Sequence, residues 1–198
     1  MALSSSELQV IVQMALAHRD EALAVSKLTE LGRLQLAEGQ SAEALSSLRK
    51  AAEYAAPLGE GALGRALGEL AVCLSAVGEH DAADRTMLTA FAHVRRAGDL
   101  AGSADVALKR ARTLTVAGAP SQRIEAAWAD ASRRCSIAGL ADEELAAGIT
   151  AARLACARGD ADLALRWLHK LVPRLVGRDD DDAMWARREL DARTAKPG

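Results

Sequence analysis

The sequence predicts an all-α protein built from repeated antiparallel helix hairpins. Three observations lead to this fold class: the amino-acid composition, the regular recurrence of glycine, and the spacing of apolar residues between the glycines. Of the 198 residues, 50% are apolar but only 3% are aromatic, and much of the apolar content is alanine and leucine. These two residues favour helices, whereas sheets are enriched in β-branched and aromatic residues. Almost no strand is therefore expected.

Glycine recurs at a regular interval along the chain. One series has steps of 39, 40 and 41 residues, which is the period of a repeat, and consists of Gly39, Gly78, Gly118 and Gly159. A second series falls 18 to 21 residues after the first and consists of Gly59, Gly98, Gly139 and Gly177. Glycine readily adopts the left-handed conformation that ends a helix. Each period is therefore predicted to hold a helix, a turn, a second helix and another turn.

The residues between the glycines have the spacing of amphipathic helices. After each glycine of the first series, three apolar residues follow at offsets of four and three, which places them on one helix face. These trios are Ala44, Leu48 and Ala51; Ala83, Met87 and Ala90; Ile124, Trp128 and Ala131; and Ala164, Leu168 and Leu171. Hydroxyl or acidic residues, which favour helix starts, precede the trios at Ser41, Asp81, Ser121 and Asp160.

Two further helices are expected outside the four pairs. Ser4 and Glu7 have the spacing of a capping box, so a helix over 4–18 is predicted to cap the N-terminal end. The acidic run Asp179 to Asp182 predicts the start of a last helix, because acidic residues stabilise the positive pole of a helix. The final residues, 194–198, are expected to fray. The predicted organisation is a single domain over 1–198, with a cap helix at 4–18, repeats at about 20–58, 60–98, 100–139 and 141–177, and a cap helix at 180–194.

One segment resembles the signature of the tetratricopeptide repeat (TPR) family. It has a large-small pair, a turn glycine and a small-large-small trio, in the order Leu31, Gly32, Gly39, Ala44, Leu48 and Ala51. The period near 40 exceeds the usual 34 of the family and is similar to the long-helix variety found in kinesin light chains and some bacterial regulators. The resemblance implies a right-handed superhelix (α-solenoid) of about four hairpins. It also implies a non-catalytic adaptor or scaffold whose first helices line a concave groove that binds a peptide or protein segment.

Arginine dominates the groove positions that this resemblance implies. The inward position lies six residues before each glycine of the first series and holds Arg33, Val72, Arg112 and Arg153. Neighbouring positions add charged, hydroxyl and apolar surface at Arg65, Lys109, Thr29 and Ile149. One interpretation is a strip of guanidinium groups that binds an acidic peptide or a terminal carboxylate. The other is that the arginines are solvated, or paired with acidic residues of the groove such as Glu69, and contribute little.

The last helix offers an alternative function. Trp128 and Trp167 lie in second helices, where packing against the next hairpin is the ordinary role. Trp185 lies on the last helix with little chain left to cover it, so it is a candidate surface for a homodimer or a partner. The chain could therefore be a self-associating structural or assembly component that uses its terminal helices.

The remaining features argue against other classes of function. A net charge of −2 gives no global field that would draw the protein to nucleic acid or an anionic membrane. No His stands at ligand spacing with a Cys or another His, and no phosphate-binding glycine loop or nucleophile elbow occurs. We therefore expect no catalytic residues, no cofactor and no metal. Three cysteines in apolar helical patterns, without an export signal or an apolar membrane span, predict a cytoplasmic protein.

Overall fold

A computed structural model describes residues 3–195, and within this range every regular element is a helix. The all-α class is thus confirmed. The expected fraying of the C-terminus falls mainly on residues 196–198, which lie outside the described residues. The helices are α1 (Ser5–Ala17), α2 (Glu21–Ala37), α3 (Ser41–Ala55), α4 (Glu60–Ala76), α5 (His80–Arg96), α6 (Leu100–Val116), α7 (Ser121–Ile137), α8 (Ala141–Arg158), α9 (Ala161–Leu171) and α10 (Asp181–Thr194), with a short 3-10 helix at Val172–Leu175.

The helices belong to two compact units, with the boundary between Ala117 and Gly118. In the first unit, α1 packs on α2, α2 pairs with α3, α4 pairs with α5, and α6 packs against α4 and α5. In the second unit, α7 pairs with α8, α8 packs on α9, and α9 packs on α10. Consecutive helices within each unit are joined by short connections and run antiparallel. A single domain over 1–198 stays a prediction.

The two glycine series mark turns, as the sequence predicts. All eight glycines have positive φ angles, between 61° and 107°. Glycine suits these positions because a Cβ atom makes the left-handed region costly for other residues. The turn between α1 and α2 is an exception, since Arg19 adopts this conformation there with a φ of 57°. That turn carries no glycine signal in the sequence.

The helix starts differ in part from the prediction. Ser4 and Glu7 form the capping box, and the Asp160 carboxylate accepts a hydrogen bond from the Leu163 N–H at the start of α9. The other three residues expected to start helices lie inside the first helical turn instead of at the N-cap: Ser41, Asp81 and Ser121. In these three helices the N-cap residue makes no side-chain hydrogen bond to the first turn. Helices α2 and α6 are capped by Asp20 and Asp99, which are not among the predicted helix starts.

The apolar trios form the cores of both units. In the first unit, Met87 and Ala90 of α5 pack with Ala71 of α4 and Val106 of α6. In the second unit, Leu168 and Leu171 of the α9 trio pack against Ala183 and Ala186 of α10. Trp128 differs from the other trio members because it is only half-buried. These cores fix how α2, α4 and α6 lie beside one another, and those three helices carry the candidate site of the first unit.

Candidate functional site

The predicted groove residues are divided between the two compact units. The first unit holds Thr29 and Arg33 on α2, Arg65 on α4, and Lys109 and Arg112 on α6. The second unit holds Ile149 and Arg153 on α8 and Trp185 on α10.

Ile149 requires a correction, because it does not contribute groove surface. Its side chain is 4% exposed and belongs to the apolar core of the second unit, with Leu168 and Leu171 of α9. Helical spacing alone places Ile149 one turn before Arg153 on the same face of α8. The side chains of α9 cover that part of the face, so only Arg153 reaches solvent.

Glu69 connects the three helices that form the face of the first unit. Its side chain is only 8% exposed, and its Oε2 atom accepts a hydrogen bond of 2.8 Å from Nε of Arg33 on α2. Its Oε1 atom lies 2.7 Å from Nζ of Lys109 on α6, and Lys109 also pairs with Asp105. One buried carboxylate on α4 therefore holds a cation from each neighbouring helix.

The ionisation of Glu69 follows from these contacts. Burial alone would raise the pKa of the Glu69 carboxyl, but the hydrogen bonds and charges of Arg33 and Lys109 outweigh burial and hold that pKa below its ordinary value. The hydrogen bond to Glu69 in turn raises the pKa of Arg33. Arg65 is also paired, with Asp99 at the start of α6. Arg33, Arg65 and Lys109 therefore form ion pairs with carboxylates of the protein itself. This is one of the two interpretations that the sequence leaves open.

Arg112 is placed differently from these three cations. It is exposed on α6, and within residues 3–195 it has no hydrogen bond or ion pair. It lines a pocket of about 430 Å³ whose apolar wall includes Val72, Ala76 and Val116. Val116 is 74% exposed. The pocket therefore combines an uncompensated guanidinium group with apolar surface that is open to solvent.

A second concavity, of about 710 Å³, lies on the same face between α2 and α4. Thr29 and Arg65 line it, so these two predicted groove residues do share a surface with Arg33. Its charged residues balance, with three cations and three anions: Arg33, Arg65 and Lys109 against Glu30, Glu69 and Asp105. The concavity thus presents polar groups with little net charge.

In the second unit, Arg153 and Trp185 contact each other. The Nη2 atom of Arg153 donates a 2.7 Å hydrogen bond to Asp182, and the guanidinium carbon lies 4.9 Å from the centre of the Trp185 ring, a cation–π distance. Trp185 is half-buried and packs against the core of the second unit. Both groups therefore have structural contacts within their own unit, and an interface role for Trp185 stays a prediction.

Replacing Trp185 by alanine is expected to lower the free energy of unfolding of the second unit by about 2 kcal/mol, because a half-buried ring loses part of the packing of a fully buried one. The measurement is urea unfolding of the full chain, followed by circular dichroism. The matched control is Met184→Ala, next to Trp185 on α10 and 52% exposed, which should change stability by no more than about 0.5 kcal/mol. Equal effects of the two substitutions would show that the ring does not stabilise the unit.

Within residues 3–195, no group of three or more His, Cys, Asp or Glu side chains is arranged to hold a metal ion. None of the helices in that range has the length and apolar character needed to cross a membrane.

Solved structures share this architecture. BtubC (BKLC) from P. vanneervenii superimposes with a TM-score of 0.74 at 18% sequence identity, over 96% of this chain and 81% of that chain. A protein of Podosopora anserina assigned as a kinesin light chain, with nearly identical TPR-like repeats, gives a TM-score of 0.66 at 18% identity, over 85% of this chain and 84% of that chain. A point variant of the same Podosopora anserina protein gives the same values. No family model and no curated protein matches the sequence. The chain therefore has the TPR-like helical-repeat fold that its sequence pattern predicts.

Proposed function

We propose that this chain is a non-catalytic protein-interaction module that binds an extended peptide segment on the face of α2, α4 and α6 in the first unit. Helical repeats of this kind offer extended surfaces on which protein partners bind. The observation that carries the proposal is the pocket at Arg112, where an exposed guanidinium group without an intramolecular partner in the described residues adjoins the apolar side chains of Val72 and Val116.

The charges of the face limit which peptides would bind. Arg33, Arg65 and Lys109 already have carboxylate partners, so a strongly acidic peptide would have to displace those partners. A segment with one apolar side chain next to one carboxylate suits the pocket better. The apolar side chain would contact Val72 and Val116, and the carboxylate would pair with Arg112.

Simple energetics predict weak, exchangeable binding. A hydrogen bond to a charged group contributes about 1.5–3 kcal/mol, and burying an apolar side chain contributes a similar amount. Their sum falls short of the roughly 8 kcal/mol of micromolar binding before any association cost is subtracted. Contacts along the neighbouring concavity between α2 and α4 are therefore needed for micromolar affinity.

The test starts from a library of short random peptides, displayed and selected on the purified full chain. We expect enrichment of sequences in which an apolar residue adjoins Asp, Glu or a free C-terminus. Arg112→Glu should weaken binding of a selected peptide at least tenfold, or by about 1.4 kcal/mol, in a fluorescence polarisation titration. The control is Arg85→Glu, which changes an exposed arginine on α5 and should leave binding unchanged.

Two results would contradict the proposal. The first is equal affinity of the selected peptides for the Arg112→Glu variant and the wild type. The second is selection that yields no peptide preference at all. Circular dichroism of each variant shows whether the helices are intact, so that a lost interaction is not confused with a lost fold.

A further inference from the structure

Helix α1 has the position of a second helix of a hairpin, but no first helix precedes it within the described residues. The turn after α1 has the same hydrogen bonds as the turn after α5. The N–H groups of three consecutive residues bond to the carbonyls four, three and five residues earlier; the three are His18, Arg19 and Asp20 after α1, and Ala97, Gly98 and Asp99 after α5. Arg19 and Gly98 both have the left-handed backbone conformation, with positive φ angles. Because α1 precedes the first helix α2 as α5 precedes the first helix α6, the shared turn aligns each residue of α1 with the residue 79 positions later in α5.

On α5, the first helix of the hairpin covers one face. Gly64 of α4 lies so close to α5 that a Cβ atom there would be 2.6 Å from Cγ1 of Val94 and 3.0 Å from the carbonyl oxygen of Ala90. His93 contacts Glu60 of α4, and a Cβ atom at Gly61 would be 3.5 Å from Cβ of Ala97. The residues of α1 that correspond to Ala90, His93 and Ala97 are Ile11, Met14 and His18.

On α1 the corresponding face is open. We define the α1 stripe as Glu7, Ile11, Met14 and His18, whose spacing of four, three and four places them on one side of the helix. Met14 is 57% exposed, Ile11 is half-buried, and Glu7 and His18 are exposed. Val10, at the edge of the stripe, is also exposed. Apolar surface that stays in contact with water gives up the free energy that its burial would contribute.

The other terminal helix has a different outer surface. The exposed side of α10 carries one apolar residue, Met184, among the charged residues Asp181, Arg188 and Asp191, and its aromatic residue, Trp185, packs within the second unit. Charged outer faces are what terminal helices of repeat arrays need for solubility. On α10, charged residues lie on both sides of the single exposed Met184, whereas Val10, Ile11 and Met14 adjoin one another on α1 without a charged residue between them. Of these two helices, α1 therefore presents the larger exposed apolar surface.

We infer that the α1 stripe binds the α1 stripe of a second copy of this chain, with the two helices antiparallel about a two-fold axis. This inference is independent of the peptide-binding proposal. With the axis between Ile11 and Met14, Met14 of each copy packs on Ile11 of the other, and His18 of each copy lies beside Glu7 of the other. The apolar centre and the opposite polar ends make the stripe complementary to itself, as a two-fold interface requires.

The carboxylate of Glu7 is suited to this arrangement. Its hydrogen bonds with Ser4 in the capping box use Oε2. Within the described residues Oε1 has no such bond and can accept one from the second copy. The bonds from Ser4 lower the pKa of Glu7. In the antiparallel arrangement, the imidazole of His18 from the second copy would supply the hydrogen-bond donor for Oε1 of Glu7.

The test is the mass of the full chain in solution, measured by sedimentation equilibrium over a range of micromolar concentrations. The wild type should approach twice its monomer mass of 20.8 kDa, and Met14→Glu should remain a monomer. Met14→Leu keeps an apolar side chain and should still dimerise. Met184→Glu is the matched control, since Met184 is similarly exposed on α10, and it should dimerise like the wild type.

A monomeric wild type over the whole range would overturn the inference, as would a dimer that persists in Met14→Glu. Loss of the dimer in Met184→Glu alone would also overturn it and would assign association to α10 and Trp185.

The antiparallel orientation of the two helices has a test of its own. His18→Glu should weaken the dimer at least tenfold by repulsion from Glu7, while His18→Lys should not. Equal effects of these two variants would exclude the antiparallel arrangement. Peptide binding measured on Met14→Glu should be unchanged, which separates this test from that of the proposed function.

Discussion

Replacing Gly64 by valine is expected to lower the free energy of unfolding of the first unit by about 4 kcal/mol. A Cβ atom at this position would lie 2.6 Å from Cγ1 of Val94 and 3.0 Å from both the Ala90 carbonyl oxygen and the Val94 nitrogen. Two of these three atoms belong to the backbone of α5, so rotation of a side chain cannot remove the overlap. The helices α4 and α5 would have to separate, which opens the core around Met87. Urea unfolding followed by circular dichroism measures the loss.

Two other glycines provide controls for this prediction. A Cβ atom at Gly68, on the same helix, would make ordinary contacts of 3.4 Å with Val106 and 3.6 Å with Lys109. Gly68→Ala should therefore stabilise the chain by about 0.5–1 kcal/mol, because alanine is the better helix former. Gly32→Ala should also destabilise the chain, since a Cβ atom there would lie 2.6 Å from Cγ of Leu48, which is fully buried, but it should cost less than Gly64→Val because the overlapping atoms belong to a side chain and not to the backbone. If Gly64→Val and Gly68→Ala proved equally mild, close approach of α4 and α5 would not be the reason for Gly64.

Which parts of the fold can be predicted from the sequence depends on how local their causes are. The turn glycines are recognisable because a left-handed residue is a local requirement, and their regular recurrence gives the repeat period. The apolar trios are recognisable because helical spacing alone places them on one face. Gly64 is different, since the reason for a glycine inside α4 is the proximity of α5, which no local pattern contains. Arg19 is a turn residue without the glycine signal, so the register that aligns α1 with α5 residue by residue becomes visible only in the structure.

The candidate site shows the same difference between features with local causes, which the sequence reveals, and features that depend on a neighbouring helix. The sequence places arginines at equivalent repeat positions but does not distinguish a free arginine from a paired one. Arg33 is paired because Glu69 on the next first helix lies within reach, and Arg153 is paired because Asp182 on α10 does. Arg112 makes no ion pair in the described residues, since Glu69 and Asp105, which line the same pocket, pair with Arg33 and Lys109. Ile149 lies on the predicted face by spacing but is covered by α9. Each of these differences depends on a neighbouring helix.

Replacing Glu69 by glutamine is expected to lower the free energy of unfolding by about 3 kcal/mol at neutral pH. The substitution keeps the shape of the side chain but removes the charge that faces Arg33 and Lys109. Lys109 is the more affected partner, because its side chain is only 12% exposed and would retain Asp105 alone. Arg33 is 62% exposed, so water replaces much of its lost interaction, and the expected loss is smaller than for a fully buried pair. Chemical denaturation of the full chain measures the difference.

A surface ion pair on α2 is the matched control. Glu30 pairs with Lys27 one turn earlier and is 47% exposed, so Glu30→Gln should cost no more than about 0.5 kcal/mol. A loss at Glu69 as small as the loss at Glu30 would mean that the buried carboxylate does not hold α2, α4 and α6 together.

The same substitution gives a pH dependence with a definite sign. The pKa of Glu69 in the folded chain is below its ordinary value of 4.5, so the folded state holds this carboxyl ionised at pH values where the unfolded chain has begun to bind a proton. The contribution of the ionised Glu69 to the free energy of unfolding is therefore complete above its unfolded-state pKa, and it is lost as the pH falls through its folded-state pKa. The stability difference between wild type and Glu69→Gln should be constant near neutral pH and should shrink progressively below pH 4.5. A difference that grows on acidification would show that burial outweighs the two cations and that the carboxyl is protonated first in the folded protein.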